Sequence, residues 1–119
     1  LKSGAYLVIQ PTEALTVIDV NTGKFEGGKK KQQTFRRINQ EAARETARQL
    51  RLRNLSGIIV VDFIDMESPA DREELTEVLR LELKKDPVKT VLVDMTPLGL
   101  VEITRKKVRK TLKEQWENA

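Results

Sequence analysis

The chain is 119 residues long, with 22 Lys and Arg against 18 Asp and Glu, a net charge of +4 and 39% hydrophobic content. That length and composition suit one soluble globular domain with a real core, and leave no room for a second. There is no Cys and no His, which excludes a disulfide framework, a thiolate metal site and an imidazole base. Any metal would need oxygen ligands, which points to Mg²⁺, Mn²⁺ or Ca²⁺. No apolar run approaches the roughly 18–20 residues of a membrane span, and no secretory signal pattern is present. The absence of Cys is compatible with a cytoplasmic location.

Taken in order, residues 5–10 (AYLVIQ) read as a short strand ended by Pro11, Thr12 and Glu13. Residues 14–20 read as a second strand, antiparallel to the first across that short connection. Asn21, Thr22 and Gly23 form a turn, and Gly27 and Gly28 loosen the loop that follows. A long helix is predicted from residue 31 or 32 to residue 54, with Phe35, Ile38, Ala42, Thr46 and Leu50 on one buried face. Gly57 opens a strand over residues 58–63, a β-branched run expected to be buried on both faces.

Ser68 is placed to cap a second helix, with Pro69 at its first position and Asp71 in the capping-box place. This helix runs to about residue 85, buries Leu75, Val78, Leu79 and Leu83, and is stopped by Pro87. Residues 89–93 and 100–104 read as strands separated by a turn at 96–98. The order is ββαβαββ plus a C-terminal helix, a single α/β domain with a mixed sheet. Residues 105–119 read as a basic helical tail, with Val108, Leu112 and Trp116 as a narrow apolar stripe.

Two strands carry a carboxylate near their C-terminal end: Asp19 in ALTVIDVN and Asp62 in GIIVVDFIDM. If these strands are parallel neighbours joined by the long helix, both carboxylates lie on one sheet edge, on strands about 4.8 Å apart. They could then share one cation. Asn21 faces the same way as Asp19, so its amide could meet a phosphate oxygen. The competing reading is that strand-end aspartates are only turn-formers or helix caps. Basic residues cluster at 24–37 and 105–113, which suggests a polyanionic partner or simply a solvated surface.

The segments EALTVIDVNTGKF, NQEAARETARQLRLRNLSGIIVVDFIDM and LGLVEITRKK closely resemble the deoxyribonuclease-I-like subdomain of the ribonuclease E/G endoribonucleases, over roughly residues 1–110. The resemblance implies hydrolysis of single-stranded RNA in RNA processing and decay, dependent on Mg²⁺ with Mn²⁺ as a substitute, leaving a 5′-phosphate and a 3′-hydroxyl. It implies Asp19 and Asp62 as metal ligands and Asn21 as the catalytic asparagine. The family's OB-type RNA-binding domain, its pocket for a 5′-monophosphate and the cysteine motif of its zinc link do not occur in this chain. The chain is therefore expected to be a catalytic subdomain (residues 1–104) with a basic tail, cut from a longer enzyme. It is expected to bind no zinc itself, to rely on the remaining domains to clamp and orient substrate, and to belong to a full-length enzyme that can form a homo-oligomer.

Candidate RNA contacts are Lys24, Arg51, Arg53, Arg105 and Lys106. Asp65 is read either as support for the metal site or as a turn organiser, and Glu102 as a solvent-facing strand residue. The alternative to an enzyme is a non-catalytic RNA-binding or scaffold module whose basic clusters bind and whose aspartates are structural.

Overall fold

The computed structural model describes residues 1, 3–23, 31–96 and 99–107. β1 (Tyr6–Pro11) and β2 (Thr16–Asn21) pair as an antiparallel hairpin. Its turn is tied by the Thr12 N–H to Leu15 carbonyl bond at 2.8 Å, while the Thr12 hydroxyl accepts from the Leu15 N–H at 3.0 Å. Ala14 and Leu15 therefore belong to the turn, and β2 starts at Thr16 rather than at the predicted residue 14. It also extends through Asn21.

α1 (Lys31–Leu52) buries Ile38, Ala42, Ala43, Thr46, Ala47 and Leu50 of the predicted stripe, with Asn39 added to it and Phe35 only half-buried. It ends before the predicted residue 54 because Asn54 adopts a left-handed conformation, φ 49°, which a helix cannot continue through. β3 (Gly57–Asp62) follows and pairs parallel to β2. The Ser68 side chain accepts from the Asp71 N–H at 3.4 Å to cap α2 (Pro69–Lys84), as its sequence predicts. α2 buries Leu75, Leu79 and Leu83, while Val78, also expected to be buried, is only partly so against the core. β4 (Thr90–Met95) and β5 (Leu100–Arg105) complete a five-stranded mixed sheet in the order β1-β2-β3-β5-β4. β5 lies antiparallel to both of its neighbours.

The inward positions of the strands, Ile18, Val20, Ile59, Val61, Val101 and Ile103, form one core with the apolar stripes of α1 and α2. Both helices thus sit on one face of the sheet. The expectation that β3 is buried on both faces is corrected: its burial alternates, and Ile58 is 42% exposed on the other side. Val91, Val93 and Leu100 are also exposed. A β-branched run therefore marks this strand without implying a second layer of helices.

Arg105 also departs from expectation. It is the last residue of β5 rather than the first of a tail, and its side chain is only 3% exposed. Its guanidinium bonds the Asp86 carboxylate at 2.8 Å, the Asn54 side-chain oxygen at 2.8 Å and the Leu55 carbonyl at 3.0 Å. It ties the end of β5 to the loops before β3 and before β4, and is not available to RNA. Tail residues from 108 onward lie outside the described residues.

Asp86, with its side chain 1% exposed, also accepts from the Val88 N–H at 2.9 Å and the Thr90 hydroxyl at 3.2 Å. Burial, the largest single influence, pushes the Asp86 carboxyl up. The Arg105 and Val88 hydrogen bonds, the Arg105 charge and the Thr90 hydroxyl outweigh it and hold the carboxyl below its usual range. A carboxyl more acidic in the folded than in the unfolded chain contributes stability that is complete above its unfolded value, near pH 4, and is lost as pH falls. Urea unfolding should therefore show stability declining below about pH 4, with Asp86→Asn flattening that decline. Arg105→Ala, which strands a buried carboxylate, should cost about 3–5 kcal/mol at neutral pH. Wild-type stability in Arg105→Ala would show that the pair does not hold these loops.

Candidate metal centre

β2 and β3 run parallel with Asp19 directly opposite Asp62. Because Ile18, Val20 and Val61 point into the core, the alternation of side chains sends Asp19 and Asp62 to the uncovered face. Both are exposed there, at the C-terminal ends of neighbouring strands. That is the edge where open α/β sheets place ligands. Two like charges on adjacent strands, about 4.8 Å between chains, are unfavourable unless a cation sits with them. Partial burial, and then the charge of Asp19, push the Asp62 carboxyl above its ordinary range.

Asn21 follows Asp19 on the same face and is half-buried. Its side-chain Oδ1 accepts from the Gly23 N–H at 3.0 Å, which commits the acceptor end of the amide to the backbone. The Nδ2 end is the donor a phosphate oxygen could use. Gly23 makes this turn possible: its φ is +72°, and a Cβ there would lie 2.7 Å from the Gly4 carbonyl oxygen.

One residue that sequence reasoning missed controls the β3 side of the site. Asn39, fully buried in α1, donates from Nδ2 to the Ile64 carbonyl at 2.8 Å and accepts at Oδ1 from the Ile64 N–H at 3.0 Å. It thereby clamps both backbone groups of a residue two positions beyond Asp62. The Phe63 N–H donates to the Gly99 carbonyl at 3.2 Å from the other side. The available signal was an amide next to Ile38 on the inward face of an otherwise apolar helix stripe.

The remaining candidates are not gathered with the two aspartates. α1 delivers the chain to the start of β3, and β5 pairs its end with that start, Arg105 opposite Gly57. Arg51, Arg53, Arg105 and Lys106 therefore lie at the opposite edge of the sheet, about 17 Å along the strands from Asp62. Arg53 Nε is occupied by Gln49 Oε1 at 3.0 Å. Lys106 is exposed, with its backbone N–H on the Lys89 carbonyl at 2.9 Å. Asp65 is exposed in the segment after β3, and Glu102 stands on the uncovered face opposite Val60 and Asp94. Lys24 lies outside the described residues.

Among the described residues there is no group of three or more Asp, Glu, His or Cys placed to hold a metal. The Asp19–Asp62 pair is the donor set that the fold offers. Two carboxylates fit Mg²⁺ or Mn²⁺, which take one or two carboxylates together with substrate phosphates, better than a many-ligand Ca²⁺ cage. No helix among the described residues is long and apolar enough to cross a membrane.

Residues 1–108 match the ribonuclease E/G family. The chain belongs to that family. It is 50% identical over 112 residues to Ribonuclease G of Salmonella typhimurium (strain SL1344), covering 94% of this chain and 23% of that protein. Over 114 residues it is 50% identical to Ribonuclease E of Nostoc sp. (strain PCC 7120), covering 96% of this chain and 17% of that protein. Ribonuclease E of Synechocystis sp. is 48% identical over the same length. The chain thus spans less than a quarter of these ribonuclease E/G relatives.

Replacing Asn39 with Leu keeps the volume but leaves the two Ile64 backbone groups without their partner, at about 1–3 kcal/mol each. Hydrogen exchange in Asn39→Leu should speed up at the Ile64 amide far more than at Ile59 in the centre of β3. Equal protection of Ile64 in both proteins would remove the clamp from this account.

Proposed function

We propose that this chain is the metal-bearing catalytic subdomain of an endoribonuclease that hydrolyses single-stranded RNA. Its products would be a 5′-phosphate and a 3′-hydroxyl, and its work RNA processing and decay in the cytoplasm. The observation that carries the reading is the Asp19–Asp62 pair, like-charged, directly opposed and facing solvent beside the Asn21 amide. Family membership over residues 1–108 supports it.

Asp19 and Asp62 would hold Mg²⁺, with Mn²⁺ able to replace it. A divalent ion there supplies charge neutralisation at a phosphodiester and activation of water, which no histidine in this chain could provide. The side chains do the positioning. Asp19 and Asp62 present their oxygens from two strands locked in register, and Asn21 directs Nδ2 at the scissile phosphate or leaving oxygen. The Asn21–Gly23 bond keeps that amide from turning.

Lys106 fits a contact with RNA phosphates away from the cut. The Lys106–Lys89 backbone bond continues the β4–β5 register by one pair and sets two exposed lysines opposite each other. Like charges so placed are unfavourable alone and are relieved by an anion. Lys24, the residue after Gly23 in the chain, is a further proposed RNA contact. Arg51 and Arg53, at the end of the helix layer, are better suited to the remaining domains of the full-length protein. Those domains, and any homo-oligomer, would clamp and orient the strand. No Cys is present to bind zinc in this chain.

A Mn²⁺ titration followed by NMR tests the reading on the chain itself. Paramagnetic broadening should centre on Asp19, Asn21 and Asp62. Asp62→Asn should abolish it while leaving urea stability equal or slightly higher, because the repulsion from Asp19 disappears. Unchanged Mn²⁺ affinity in Asp62→Asn would make the metal assignment wrong. Collapse of the fold in that variant would favour a non-catalytic RNA-binding or scaffold module with structural aspartates.

A further inference from the structure

The two carboxylates of the candidate metal centre are held in different ways. Asp19 lies inside β2, and the ladder with β1 continues past it, with Leu7 opposite Val20 and Tyr6 opposite Asn21. Asp62 is the last residue of β3 and the last rung of the β2–β3 ladder. The chain just beyond it is held by two other elements. On the β5 side, Leu100 stands opposite Asp62 and the Phe63 N–H donates to the Gly99 carbonyl at 3.2 Å. On the helix side, Asn39 grips the backbone of Ile64.

Gly99 meets this segment at very short range. Its φ is +86°, and a Cβ added there would lie 3.3 Å from the Phe63 carbonyl oxygen, closer than ordinary van der Waals contact, and 3.9 Å from that of Ile64. Phe63 has little freedom to retreat, because its side chain is buried in the core and the next residue is clamped by Asn39. Gly99 is equally constrained. Its N–H donates to the Thr96 carbonyl at 3.0 Å, the Thr96 N–H donates to the Leu100 carbonyl at 2.8 Å, and the Leu100 N–H donates to Thr96 Oγ1 at 3.2 Å. Only a glycine satisfies both the positive φ and the close approach without strain.

Resting on the proposed metal-binding role of Asp19 and Asp62, we propose that Gly99 is a positioning residue for the metal. Its backbone, presented by the β4–β5 connection, holds the chain immediately after Asp62 and so sets where this carboxylate stands relative to Asp19. One metal ligand is then fixed by the interior of the sheet, the other by a neighbouring loop. A side chain at residue 99 forces the β4–β5 connection and Phe63 apart, breaks the Phe63–Gly99 bond and loosens the end of β3. Neither carboxylate is touched, yet their common aim at one ion is lost.

Gly57 supplies the control. It opens the same strand at the opposite edge with φ +81°, and nothing lies within 4 Å of a Cβ added there. Gly57→Ala therefore strains β3 in a comparable way without reaching the site. Wild type, both glycine variants and Asp62→Asn are titrated with Mn²⁺ alone, read by paramagnetic broadening in NMR, and their urea stability is measured alongside. Gly99→Ala should bind Mn²⁺ roughly ten- to a hundred-fold more weakly, the usual effect of removing a group that orients a ligand. Its residual broadening should shift from Asp62 toward Asp19 and Asn21. Gly57→Ala should lose stability yet bind Mn²⁺ as wild type. Thr96→Val, which deprives the Leu100 N–H of its acceptor and keeps the glycine, should weaken Mn²⁺ by a smaller factor, and it replaces Gly99→Ala if that variant does not fold. Wild-type affinity in whichever of these two is folded, or equal losses in the two glycine variants, would reject the positioning role while the loss of binding in Asp62→Asn keeps the metal reading. Wild-type affinity in Asp62→Asn would overturn both.

Discussion

The side chain of Asn39 is fully buried where α1 meets the chain leaving β3, and both ends of its amide are bonded to the backbone of Ile64. A buried amide without partners would cost several kcal/mol, roughly 2–7 depending on the reference state. Here each partner satisfies the other, so the cost becomes a constraint on geometry. The helix can sit in only one place along the sheet, because sliding it by one turn would strand three polar groups at once. The parallel β2–β3 ladder sets Asp19 opposite Asp62, and the Asn39–Ile64 pair holds the chain that leaves β3 against α1. A polar pair inside the core thus anchors the chain just beyond one of the two carboxylates outside it.

The two edges of the sheet use charge in opposite ways. At the edge where β5 ends, Arg105 and Asp86 are both buried, both hydrogen-bonded beyond each other, and surrounded by Asn54, Leu55, Val88 and Thr90. A removed partner there would leave an unsatisfied ion in a dry site, so that charge pair belongs to the fold. At the other edge Asp19 and Asp62 face water with the same sign, and their proximity contributes nothing favourable to folding. Opposed like charges kept in register are a feature that stability does not explain, and the proposed cation would account for it.

Much of this was legible in the sequence, for reasons that can be named. The element order and the α2 cap followed from periodicity and from Ser68-Pro69-Ala70-Asp71, where the local chemistry and the tertiary structure agree. The Asp19–Asp62 pairing followed from two strand ends joined by one long helix, since parallel neighbours must finish on the same edge. Arg105 was misjudged because its local context is a basic run, RKK, and only the β5–β3 pairing brings Asn54, Leu55 and Asp86 around it. Residues 58–63 read as a doubly buried strand because β-branched residues mark a strand, while the number of covered faces depends on where the helices go. Asn39 had no local signal strong enough to compete with the helix stripe around it, because its partner is a backbone group 25 residues away.

The poverty of the candidate site in ligands bears on how it would work. Two carboxylates and an amide donor, with no third acidic group among the described residues, leave most positions around a Mg²⁺ ion to water and to the substrate itself. On the proposed reading, such a site holds the ion weakly until RNA phosphates complete its surroundings, and it holds RNA weakly at that point until the ion masks two negative charges. Each binding event then favours the other by the same factor. Rigid placement of Asp19, Asn21 and Asp62 by the core matters more under these conditions than a large number of ligands would.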